Sequence, residues 1–516
     1  MSLMVMRVVL VLALLAAPLR VTAQAPPREP GSTPPETGSA AGSAVEPPAS
    51  EPPPAPQIEP QAIEKIVEPE PIRDISSEAP YFPQPPRRLD RRPFIAAGEV
   101  LGINGIFWLV AFAIGKPYAR ISYDSVRDNL KSDWVWDEDA FATNQFGHPY
   151  LGALMYNAAR SNGFGMLGSS IYSFAGSAFW ELFMETETPS INDQFFTPFG
   201  GILFGEVMHR YGRAMLWNEN PGRIALAALV DPIGSFNRSA LGDTWARPQP
   251  PPMFGFLSVG WNGLAAEFGT QDGTIVESSF ATLHVGIGLS YGLPLDRSYK
   301  PRRPMDHFEF LAEGDLNTDE AFFAIHTRGL LWGRNFGFGS AHALVGLFGG
   351  YDFESPKNIR IGAASIGAGS TFHLPLGQRN FFQGTGVISF IPFGAAGGEV
   401  DETKEVTERD YHRGYGSSQL LLARLARRGL GMVYASTKNF EIDGTYFDEG
   451  SEIVSFSRVG GMVALLGRHG IGVEGLFSVR RATFSDKTRD VLDSSAQLRI
   501  SYVLMQDLTF GGGAAE

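Results

Sequence analysis

Ten of the polar side chains in a stretch rich in glycine, alanine and aromatic residues are of types that could do chemistry: Asn144, His148, Tyr156, Arg160, Glu181, Glu185, Ser190, Asn192, Asp193 and Glu206. Three chemistries suit these residue types. A hydrolytic site would use His148 as general base, oriented by Glu181 or Glu185, with Arg160 holding an anionic group such as a lipid phosphate. Its nucleophile would be Ser170 or Ser190, yet neither sits in a nucleophile elbow, and Ser190 reads better as a helix cap. A metal site would build on Glu206-x-x-His209, whose i, i+3 spacing occurs in carboxylate-bridged helical bundles. Those sites need a second such pair, which the sequence lacks, so no cofactor is expected. The third option is a buried polar network. Arg160 would pair with Glu181 or Glu185, while His148 and Asn192 tie helix ends together. Buried charges must be paired and hydrogen-bonded or they cost several kcal/mol. The residues favour this third reading.

The elements that would carry these groups are helical. Pro149 suits a first helical turn. Ser190-Ile191-Asn192-Asp193 has capping-box spacing, the serine accepting from the backbone and the aspartate answering. Gly201 and Gly205 share a helix face and allow close contact; Gly165, Ser169, Ser173 and Ser177 form a similar ridge. Upstream, "FIAAGEVLGINGIFWLVAFAIGK" is apolar apart from Glu99 and Asn104. It reads as a helix buried against protein, with those two residues facing polar partners; an inner-membrane anchor is the alternative.

The stretches "NQFGHPYLGALMYNAARSNGF", "SAFWELFMETETPSINDQ" and "FGGILFGEVMHRYG" resemble the uncharacterised bacterial family named domain of unknown function 3943, over roughly Asp139 to Arg213. The resemblance implies no activity, and it implies an exported envelope protein. A fainter likeness, a His, then a Glu, then Ser-x-x-Asp before a Gly-rich helix, is to VanZ-like membrane proteins. It implies a helical core associated with lipids or cell-wall material.

The chain contains no cysteine, which excludes a lipid-bearing cysteine, disulfides and thiolate metal sites. Net charge is −13 with no basic block, so no nucleic-acid partner is expected. Residues 1–23 read as a secretory signal peptide: Arg7, an apolar run from Val8 to Leu19, and the small-residue site Val21-Thr22-Ala23. Residues 24–93 are rich in Pro, Ala and Glu and read as a disordered spacer.

From Phe254 to Phe510 the pattern alternates. "HVGIGLSYG" sets Val285, Ile287, Leu289 and Tyr291 against His284, Gly286, Gly288 and Ser290. "AQLRISYVLM" sets Leu498, Ile500, Tyr502 and Leu504 against Gln497, Arg499 and Ser501. Period-two segments of this length in an exported chain point to membrane-crossing strands, apolar side chains outward and polar ones inward. Short turns such as "GRHG" and a long polar loop, "GGEVDETKEVTERDYHRG", separate them. The chain ends "LTFGGGAAE", so Phe510 stands six residues from the terminus.

The expected fold is therefore α+β in two parts: a small helical bundle (94–245), then an antiparallel transmembrane β-barrel of about 12 strands (254–510) and a short tail (511–516). The expected location is the bacterial outer membrane, with the spacer and helical domain periplasmic or inside the barrel. Expected partners are outer-membrane lipids, the barrel assembly machinery and a lipidic or small-molecule ligand. The expected role is envelope structure or passage of a small or lipidic molecule. An envelope lipid hydrolase and a soluble periplasmic binding protein are the alternatives.

Overall fold

The structure is a computed structural model that describes residues 73–74, 91–136, 141–217, 220–242, 250–269, 275–278, 282–296, 299–316, 322–355, 359–398, 411–444, 449–485, 487 and 490–512. The signal peptide and nearly all of the spacer lie outside the described residues. Seven α-helices come first: α1 (Pro93–Ala113), α2 (Tyr123–Asn129), α3 (His148–Ser161), α4 (Met166–Phe183), α5 (Ile191–Met215), α6 (Pro221–Val230) and α7 (Pro232–Leu241). A π-helical turn, Thr143–Gly147, leads into α3. Proline occupies the first turn of α1, α3, α6 and α7, where the missing N–H has no intrahelical partner to lose.

The bundle is thin where the glycines fall. A Cβ on Gly201 would stand 2.5 Å from the Gly152 carbonyl carbon, and one on Gly152 would stand 2.0 Å from the Thr197 oxygen. Helices α3 and α5 thus touch backbone to backbone. The serine ridge of α4 is used as expected. Ser173 donates to the Gly152 oxygen (3.0 Å) and Ser177 to the Asp193 oxygen (3.1 Å). On α1, Asn104 donates to the Gly176 oxygen (3.0 Å), and Glu99 accepts from Asn162 and Asn237 (2.9 Å each). Both polar residues of that apolar helix therefore have protein partners.

Twelve strands follow: β1 (Met253–Gly269), β2 (Thr282–Tyr291), β3 (Phe308–Leu316), β4 (Phe322–Phe338), β5 (Ala341–Glu354), β6 (Arg360–Leu376), β7 (Asn380–Gly397), β8 (Tyr411–Arg427), β9 (Gly431–Gly444), β10 (Gly450–Leu466), β11 (His469–Phe484) and β12 (Val491–Met505). Each pairs antiparallel with its sequence neighbours, and β12 pairs with β1, so the sheet closes into a barrel. Residues 73–74 add a short pairing to β4, and Ile275–Ser278 pair with β1. The chain enters and leaves at one end, here the near end. Four tight turns lie there, each with a glycine at positive φ: Gly339, Gly377, Gly429 and Gly467. The longer connection 292–307 is also at the near end. The loop over 399–410 lies outside the described residues.

The alternation read from the sequence holds. Arg499 and His284 face inward and are buried, whereas Ile500 and Tyr502 face outward and are exposed. Outward-facing Leu421, Val433, Val459 and Ile388 are likewise exposed. A closed antiparallel barrel with an apolar outer belt is a transmembrane barrel.

The lumen is less wet than the sequence suggests. Charged residues fill its middle, and at the far end Arg480 pairs with Glu452 (2.8 Å) beside His412 (3.2 Å), but apolar layers lie on both sides of the middle. Toward the near end stand Phe254, Met432, Met462 and Val503; Leu293 from the 292–307 connection and Phe510 from the tail close over them. Toward the far end Ile361, Ile391, Phe440, Ile442, Val454 and Phe456 form another apolar layer. Strand β12 ends at Met505, and Phe510 folds back to lie 5.9 Å from the Phe254 ring. It is therefore not a strand-terminal aromatic facing lipid.

The bundle does not plug this lumen. It packs on the outside of the wall formed by β2 to β7. Phe204 lies against Tyr351 and Phe310 (6.3 Å each), Phe146 meets Phe323 edge-on (5.2 Å), and Phe195 stacks on Phe393 (4.9 Å). Tyr351 shares a strand face with Val345 and Leu347, which remain exposed, while Asp352 beside it faces the lumen. Apolar outward side chains cannot distinguish lipid from helix, which is why the sequence left this contact unread.

Candidate functional site

The ten polar residues do not form one cluster. They fall into two groups, with Asp193 and Glu206 about 20 Å apart along α5. At the far end, Glu181 accepts the Ser190 backbone N–H (2.7 Å). The Ser190 hydroxyl donates to Asn192 (2.9 Å) and accepts the Asp193 N–H (3.2 Å). The serine cap thus exists as expected, but Glu181, not Asp193, answers it. His148 Nε2 lies 3.7 Å from Asp193 Oδ2. The carboxylate set beside His148 is that of Asp193, and the Ser190 hydroxyl is occupied as a cap.

Glu185 stands just beyond α4, where it accepts from the Trp180 indole (3.0 Å). Burial, followed by the Glu181 carboxylate, holds its carboxyl well above the usual carboxylate range. Asn129 ties this corner by donating to the backbone oxygens of Glu181 (3.2 Å) and Glu185 (3.0 Å). Asn144 is buried in the π-helical turn next to the same end.

The second group is an ion network. Arg160 meets the Glu206 carboxylate with two nitrogens (2.7 and 2.8 Å). Arg210 meets it with a third (2.7 Å), and Tyr156 donates its hydroxyl to it. The pairing expected for Arg160, with Glu181 or Glu185, is replaced by Glu206, one helix over and near the opposite end. Arg210 reaches further, to Asp306 (3.1 Å) and the Pro304 oxygen (2.8 Å) in the 292–307 connection. The network therefore clamps bundle to barrel. Glu206 and His209 do not converge: His209 turns to Asp231, 3.5 Å away.

The third arrangement was legible only in part. An internal cavity of about 250 Å³ lies at mid-height in the barrel, crossed by ion pairs from opposite walls. Arg424 of β8 reaches Glu309 of β3 (3.2 Å), and Lys438 of β9 reaches Asp352 of β5. Arg458 of β10 reaches Glu313 of β3, which also meets Arg499 of β12 (3.2 Å). Alternation puts Glu309, Glu313 and Arg499 inside, but only the closed geometry tells which opposite strand each one meets. The space is close to the lower bound of small-molecule sites, which run from about 300 Å³ upward.

No curated protein matches the chain. Among solved structures, an outer membrane channel from Pseudomonas putida F1 shares 12% identity over 49% of this chain and 94% of its own, with a TM-score of 0.23. An anion-selective porin from Comamonas acidovorans shares 12% over 49% and 99%, at 0.18. The toluene transporter TodX of Pseudomonas putida shares 7% over 50% and 90%, at 0.22. Residues 133–233, which hold all ten polar residues and most of the bundle, match the family described as Domain of unknown function (DUF3943).

Proposed function

We propose that this outer-membrane barrel passes a small or lipidic molecule, and that the lumen described above is its closed state. The observation that carries this reading is the mid-barrel cavity, lined by both signs of charge and capped by an apolar layer on either side. A purely structural barrel of this size could fill its middle with side chains. Here a space remains, and part of the near-end cap comes from segments outside the strands, Leu293 and Phe510. Such segments can move without breaking the sheet. We ascribe export to residues 1–23 and insertion to the barrel assembly machinery, and place the spacer, residues 24–93, in the periplasm.

The test is solute uptake by liposomes containing the purified protein. Wild-type barrel should admit small sugars slowly. Truncation after Gln506, combined with Glu313→Ala and Arg458→Ala, removes the tail and one pair of the belt, and should raise uptake several-fold. Folded barrels are recognised by their faster gel migration before heating. A folded, doubly opened barrel no leakier than protein-free liposomes would refute passage.

A further inference from the structure

We propose that the helical bundle lies in the same lipid layer as the barrel, the outer faces of α1, α4 and α5 contacting acyl chains. This goes beyond the passage reading and does not depend on it. The bundle runs obliquely over the wall, covering the outward faces of β2 and β3 as far as the near end and those of β4 to β7 toward the far end, while near-end positions such as Val345, Leu347 and Ile388 stay exposed. At the near end Arg210 holds Asp306 (3.1 Å); toward the far end Tyr351 donates to the Gln145 oxygen (2.7 Å) and Phe195 stacks on Phe393. Lipid is excluded from the covered wall, so the outer bundle surface must continue the belt that the wall interrupts.

That surface has the composition the position demands. Ile106, Leu109 and Phe112 of α1, Leu167 and Ile171 of α4, and Phe199 of α5 are all exposed. No charged side chain of α1, α3, α4 or α5 is exposed; each is buried or half-buried. The exposed charges stand at the helix ends, Arg91 before α1 and Lys116 and Arg120 after it. With 21 residues, α1 is about 31 Å long, against a hydrocarbon core of about 30 Å. Trp217 lies exposed just past α5 at the near end, and Tyr123 lies exposed beyond α1, as interfacial aromatics do. An exposed apolar face this extensive would be an aggregation liability in the aqueous periplasm. Its continuity with the barrel belt selects lipid as the occupant.

The absence of cysteine makes the test direct. Single cysteines at Leu109, Ile171 and Phe199, at barrel position Val459 and at Lys116 are spin-labelled. The full chain is then reconstituted into phospholipid vesicles, and collisions with oxygen and with a water-soluble nickel chelate are compared. The three bundle positions should match Val459, with an oxygen-to-nickel ratio several-fold above that at Lys116. Ratios matching Lys116 would place the bundle in water and overturn the proposal. So would protection from both reagents together with disulfide formation between copies of the same variants left unlabelled under oxidising conditions, which would make the occupant a second chain. Three independent positions, each checked for the unheated gel shift, prevent one misfolded variant from deciding the outcome.

Discussion

Replacing Glu206 by glutamine keeps the shape of the side chain and removes one charge from the bundle's fully buried network. In the native arrangement two guanidiniums, Arg160 and Arg210, are balanced by two carboxylates, Glu206 and Asp306. The substitution leaves a net positive charge in a site with side chains of Arg160, Glu206 and Arg210 all under one-tenth exposed. Arg160 would keep its bond to the Phe164 oxygen (2.9 Å) but lose the carboxylate that balances its charge. Breaking a buried pair on one side costs about 3–5 kcal/mol. Glu206→Gln should therefore destabilise the bundle by about that amount. Adding Arg160→Met restores the balance, because Arg210 and Asp306 still pair, and should return about 2–3 kcal/mol as a coupling between the two sites. Pulse proteolysis across a denaturant series reads bundle unfolding, while unheated gel migration reports separately on the barrel. A single-variant loss below about 1 kcal/mol, or additivity of the two changes, would refute the claim that charge balance governs this network.

Gly201→Ala should cost about 1–3 kcal/mol in the same assay, since its Cβ meets backbone atoms of Gly152 and Ala153 that cannot rotate away; Gly102→Ala, with nothing within 4 Å, is the neutral control. Glu185→Gln should alter the pH dependence of stability. The raised carboxyl holds its proton more tightly folded than unfolded, so its contribution is complete below pH 4.5 and declines as pH rises toward the folded value. The variant should match wild type in acid and exceed it in alkaline solution, as read by thermal melts; a constant offset at every pH would count against the raised carboxyl. Phe510→Ala should make the segment from Gln506 to Gly512 protease-sensitive while the gel shift persists, because β12 ends at Met505; a lost shift would show that the tail holds the barrel closed.

The barrel was the most legible part of the sequence because alternation maps directly onto a two-sided wall. Val285, Ile287 and Leu289 face outward as read, and Arg499 faces inward. What covers an outward face is not encoded in polarity, so residues under α5 and residues under lipid look alike. The Glu206 clamp was missed for a related reason. Glu181 and Glu185 are closer to Arg160 in sequence, and nothing local shows that the glycine contact between α3 and α5 sets Tyr156 and Arg160 opposite Glu206 and Arg210. The paired one-turn spacings, 156/160 on α3 and 206/210 on α5, were the available signal. The serine cap was legible at Ser190 because its hydrogen bond is local, whereas its second partner, Glu181, comes from another helix.

Strands β1 and β12 complete the cylinder on a flank the helices leave bare, where Trp261 and Ile500 remain uncovered. Joining the first and last staves and docking the helices thus draw on different residues. Neither event has to wait for the other, and the seam can zip shut in the bilayer with no helix to displace.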